Sequence, residues 1–272
     1  MLRHLLFGTF LALASASCSE NPSSPAGSEA ISRIESIESI EVHFVHSGWG
    51  RIEEEFTVVP GSSAKSFVLR AKYFDAQDRL QSTEQNLQVS AVQNLLAAAE
   101  APAWPRLAGV SAVAATVKPS KIVAKPSIRS PPSPCTHGEL SQLARRYLKR
   151  KGMAALVDEH YGQGLSWTDD YPHVRLHIQL RDGPPLRLYS NSQKAMMLPW
   201  YPGVAAASPL ESDQNWSLPL SRALQGILPK QSRLYERLGG DRLPERLSSK
   251  VDREADKECD SFGAVKKGVR EH

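Results

Sequence analysis

The chain has no Cys-x-x-Cys pair, no Cys/His grouping at metal-ligand spacing, no glycine-rich phosphate loop, no Walker-type lysine and no haem motif. Those absences leave no cofactor and no metal indicated, because each such group needs donors at fixed spacing. No Gly-x-Ser-x-Gly elbow is present either, which removes the commonest strand-to-helix presentation of a nucleophilic serine. Charge of one sign is also missing: 33 basic residues face 29 acidic ones, for a net +4, and no lysine- or arginine-dense block reaches the length of a nucleic-acid arm. Nucleic acid is therefore not an expected partner. The opening apolar run, Leu5 to Ala16, is about 12 residues and rises only about 18 Å as a helix, too little to span a bilayer.

What is present begins with that run. Arg3 and His4 precede it, and small residues and a cysteine follow it, Ser15-Ala16-Ser17-Cys18. This is the basic, apolar and small-residue order of a secretory signal, which directs export and is then removed. With its cysteine directly after Ala16-Ser17, the segment 1–18 resembles the signal of a bacterial lipoprotein, although Ser15 stands where that motif favours Leu. The resemblance implies lipidation of Cys18, a membrane held through that lipid, and a periplasmic or outer-membrane location. Ordinary cleavage after Ala16, giving a periplasmic or secreted protein, is the competing expectation. Cys18 carrying lipid would leave Cys135 and Cys259 as an even pair that an oxidising compartment can join; cleavage before Ser17 would leave three cysteines and one unpaired.

The mature chain resembles no family on its residues. Its 272 positions, 41% of them hydrophobic, suffice for one good core or two small ones. Residues 1–17 read as the signal and 18–33 as a Ser/Pro/Gly tether. The segment 34–117 reads as a β-rich subdomain: Ile40, Val42 and Phe44 alternate with polar neighbours, Glu55 to Val59 is β-branched, and Phe67, Leu69, Ala71 and Tyr73 alternate again. A helix closes it, with a capping box expected at Ser90 to Gln93 and a stop at Pro102. Residues 118–134 (KPSKIVAKPSIRSPPSP) read as a linker or long surface loop.

A helix–hairpin–helix subdomain is expected over 135–238. Thr136 and Glu139 form a second capping box, Leu140, Leu143, Ala144, Tyr147 and Leu148 share a face, and Arg145 to Lys151 crowd the last turn before Gly152. Val174, Leu176, Ile178 and Leu180 then alternate with His173, Arg175, His177 and Gln179, and Asp182-Gly183 turns the chain into Leu186 to Tyr189. Pro184-Pro185 pushes that return strand toward a sheet edge. Leu220, Ala223, Leu224, Ile227 and Leu228 give a further helical stripe, and 239–272 reads as a mixed-charge tail or thin surface helix.

The fold class is thus α+β, with antiparallel sheet and about three main helices, arranged as two small subdomains or as one body wrapped across the 118–134 loop. For chemistry, Asp169, Asp170 and His173 with Ser190 supply the acid, base and hydroxyl of a hydrolase. His173 and His177 share a strand face but stand about 13 Å apart, too far to grip one ion. Trp167, Tyr171, Trp200 and Tyr201 could line a groove or plug the end of the sheet. The reading these features favour is an exported, lipid-anchored, non-enzymatic binding or structural module of the cell envelope, with an envelope protein as partner; the rival is a periplasmic hydrolase using Asp169, Asp170 and His173.

Overall fold

The computed structural model describes residues 33–47, 50–62, 66–122, 135–162, 172–203 and 213–268, with side chains in the last helix described to residue 261. The signal segment with Cys18, the tether up to residue 32, most of the 118–134 segment, and Trp167, Asp169, Asp170 and Tyr171 lie outside the described residues.

Alternating apolar positions drive the strands. They are β1 (Ile37–His46), β2 (Ile52–Pro60), β3 (Phe67–Phe74), β4 (Leu80–Leu87), β5 (His173–Leu180), β6 (Leu186–Asn191) and β7 (Tyr201–Pro202). All seven join one antiparallel sheet in the order β4-β3-β2-β1-β5-β6-β7. The segments before and after the 118–134 loop, expected either as two subdomains or as one body, meet inside a single sheet, where β1 pairs with β5 from Val45 opposite His173 to Ile37 opposite Leu180. Val174, Leu176, Ile178 and Leu180 are buried, as their alternation predicts, and they continue the face made by Ile40, Val42 and Phe44. Pro184 and Pro185 precede β6, which among the described residues is paired on its outer side by the two residues of β7.

Helices cover that buried face. They are α1 (Val89–Glu100), α2 (Arg106–Thr116), α3 (His137–Lys151), α4 (Met153–Gly162), α5 (Leu218–Ile227), α6 (Arg233–Gly239) and α7 (Leu243–Gly268), more than the three main helices expected. The difference lies in short or small-residue helices such as α2, whose stripe of Val110, Val113 and Ala114 is too narrow to stand out in sequence. Gly109 lets α2 approach closely: a Cβ there would lie 2.4 Å from Cβ of Trp216.

Two helix starts illustrate the limits of local pattern. At α3 the capping box forms as expected: Glu139 N–H donates to the Thr136 hydroxyl, and Thr136 N–H donates to the Glu139 carboxylate at 2.7 Å. At α1 the box expected at Ser90 does not form. The helix begins two residues earlier, at Val89 with Gln88 as a cap lacking a side-chain bond, and Val89 packs on the core.

The mixed-charge tail is a helix. In α7 the residues Leu243, Leu247, Val251, Ala255 and Cys259 recur every fourth position and all are buried, a stripe one residue wide that packs beside α3. Cys259 is joined to Cys135, just before α3, by a disulfide with Cα atoms 6.0 Å apart. The basic last turn of α3 is partly matched by carboxylates: Lys151 lies 3.4 Å from Glu159 and Arg150 3.8 Å from Glu258.

Candidate functional site: the open face of the sheet

Strand parity decides the fate of the sequence candidates. His173 pairs with Asn191, whereas Ser190 pairs with Val174, so His173 and Ser190 point to opposite faces. Ser190 is fully buried in the core, and its hydroxyl donates to the carbonyl of Met197. A hydrolase centre built on His173 and Ser190 is thereby excluded: the serine holds a turn.

That turn is a buried clasp. Met196 and Met197 sit at φ of 64° and 49°, a left-handed conformation that costs a non-glycine residue roughly 1–2 kcal/mol. Hydroxyls stabilise it from two sides. Ser190 donates to Met197 O, and Ser221 of α5 donates to Met196 O at 2.7 Å while accepting the indole N–H of Trp200 at 2.9 Å. Trp200 is fully buried, so it packs the sheet end and lines no groove. Tyr201, also buried, stacks on Tyr189 with ring centroids 5.2 Å apart. Of the four aromatics proposed for binding, both described ones serve packing.

The face opposite the helices carries the polar chemistry. Cross-strand pairing sets two rows across it: Lys72, Glu55, His43 and Arg175 in one, and Glu84, Arg70, Thr57, Glu41, His177 and Arg187 in the next. Both rows mix acidic and basic groups, with Lys72 opposite Glu55 and Arg70 opposite Glu84, and a neutral Thr57 interrupts the second. Arg70 donates to Glu84 at 3.1 Å, and His177 lies 3.7 Å from Glu41. These rows floor an open trough of about 830 Å³ bounded by β1, β2, β5 and β6.

At its centre His43 Nε2 meets Glu53 Oε1 at 2.7 Å, and ligand atoms of His43, Glu53 and Glu55 all lie within 4.8 Å of one another. Spacing along one strand could not reveal this set, because Glu53 and Glu55 are two apart on β2 and His43 faces them from β1. The signal was a Glu-x-Glu on one strand of a hairpin opposite a histidine on the other. The three donors could hold a divalent ion, but Glu53 is already held by two side chains. Arg51 lies 2.9 Å from Glu53, and Lys72 pairs across from Glu55. The hydrogen bond from His43, then Arg51, hold the Glu53 carboxyl below the usual range. An ion at Glu53 would have to compete with Arg51 for the carboxylate.

No protein-family model matches the chain, and no curated protein or solved structure is significantly similar to it. The described helices include none long and apolar enough to cross a membrane.

Proposed function

We propose that the protein is an exported, non-enzymatic binding module of the cell envelope, held at a membrane through lipid on Cys18, that presents the open face of its sheet to a protein partner. The observation that carries the binding part is the pair of mixed-charge rows on a face that the helices leave uncovered. A surface patterned in both signs favours a partner of complementary pattern over a uniformly charged polymer. The joined Cys135 and Cys259 support export, since such bonds persist in oxidising compartments.

Two experiments test the two parts. Radiolabelled palmitate should enter the wild-type chain and not Cys18→Ser; label surviving that change would remove the anchor. For the face, a photo-crosslinker placed at Thr57 in cells should capture one envelope protein, and capture should vanish with Glu41→Lys combined with Arg187→Glu. Equal capture by the charge-reversed chain would refute the face as the binding surface.

A further inference from the structure

A second feature, away from the open face, is a cavity of about 220 Å³ between the ends of β1 and β2, the segment after β6, and the junction of α6 with α7. Its wall includes apolar Phe44, Ile52 and Leu243. Lys194, Arg233, Arg237, Arg242 and Arg246 also line it, against only Glu236 and Asp241. Glu236 is taken by Arg242 at 2.7 Å, and Arg233 turns to Asp78 at 2.6 Å. Arg237 and Arg246 make no ion pair within 4 Å among the described residues.

Burial and the crowding of like charge act on the same groups. Burial lowers the Lys194 ammonium and the Arg237 guanidinium from their usual ranges, and Arg246 adds repulsion to both. Packing cations together around a hollow is unfavourable unless something negative enters it. The hollow is also shaped by the fold: Gly240 lines it at φ 72°, and a Cβ there would lie 2.5 Å from Cε of Met196, so the α6–α7 turn is locked against the methionine clasp.

We propose that this cavity is a binding site for a phosphate-bearing ligand, with Arg237, Arg246 and Lys194 on the phosphate and Phe44, Ile52 and Leu243 against an apolar portion. Two guanidinium forks and an ammonium offer more donors than a single carboxylate can accept, and they suit the several oxygens of a phosphate. The same chemistry is carried by a soluble phosphomonoester and by a phospholipid headgroup.

The test uses the full mature chain carrying Cys18→Ser, so that no lipid anchor contributes, with phenyl phosphate and inorganic phosphate as soluble probes and vesicles of phosphatidylglycerol or phosphatidylcholine as lipid probes. Calorimetry should show saturable binding of phenyl phosphate, tighter than that of inorganic phosphate and at least tenfold weaker in Arg246→Gln. Arg145→Gln, exposed on α3 and in neither site, should bind as the parent does. Arg246 is exposed, so its loss tests binding without threatening the fold; Arg237→Gln should repeat the effect where its melting temperature is preserved. A lipid source predicts retention on phosphatidylglycerol vesicles that phenyl phosphate competes away, and a soluble source predicts binding of the ester without retention. The proposal fails if none of these probes binds saturably, if binding survives Arg246→Gln, or if Arg145→Gln weakens it equally. Because the open face and its charge-reversal variant are separate from this cavity, either site can fail alone.

Discussion

The carboxylate of Glu54, on β2, accepts the backbone N–H of Leu234, in the first turn of α6, at 2.9 Å. The same group accepts Arg233 N–H at 2.9 Å and Phe74 N–H at 3.1 Å, so a central strand caps a helix far along the chain. Glu54 is fully buried, and every donor it satisfies would otherwise be an orphan of a helix start or strand end. Glu54→Gln replaces one acceptor oxygen by a donor facing an N–H. It should cost about 1–3 kcal/mol of unfolding free energy, measured by urea denaturation.

The pH dependence of that loss has a fixed sign. Burial outweighs the three donors and raises the Glu54 carboxyl above its usual value of 4.5. A group raised on folding contributes stability that is complete below its unfolded value and lost as pH climbs through the folded one. The gap between wild type and Glu54→Gln should therefore narrow as pH rises above 4.5. A gap that widens over that range would show the carboxyl to be lowered instead.

His160 gives the opposite case. Burial first, then Lys194, Arg246 and Lys250, lower its imidazole to about 4. The stability it contributes is present above the ordinary value of 6.5 and lost as pH falls from there toward 4. Carbon-13 NMR of the labelled ring should place its midpoint near 4, and Lys194→Gln should move it upward.

Reduction of the Cys135–Cys259 bond should loosen α3 from α7. The bridge spans a sequence separation of 124 residues, and closing so long a loop is worth on the order of 4–5 kcal/mol by the chain-entropy argument. The melting temperature should fall on treatment with a phosphine reductant and in Cys135→Ser with Cys259→Ser. Reductant should then have no further effect on the double variant.

Ser221→Ala should also destabilise, by about 1–3 kcal/mol, because it strips both the Trp200 indole N–H and the Met196 carbonyl of a buried partner. A change in tryptophan emission without loss of stability would contradict the clasp.

Periodicity made the hairpin of β5 and β6, the strands β1 to β3 and the box at Thr136 legible, since each depends on residues close in sequence. The edge strand β4 was not, because Gln81, Thr83 and Gln85 stand on its inner-facing positions where an apolar alternation would have announced it. The separation of His173 from Ser190 was hidden for a related reason. Both stand at ends of the hairpin strands, and only the register, with Asn191 opposite His173, decides which face each one takes. The clusters that replaced them, around His43 on the open face and Arg246 at the cavity, draw on elements distant in the chain and carry no local motif.

The joint between β1 and β5 sets an order of events in time. Ile40 cannot find Ile178 until more than a hundred further residues have emerged, and pairings so distant in sequence close slowly. Until then the first four strands expose one long unpaired flank of β1 and an apolar face. A chain that crosses a membrane before folding would complete its centre last, and would depend in that interval on whatever shields nascent edges from one another.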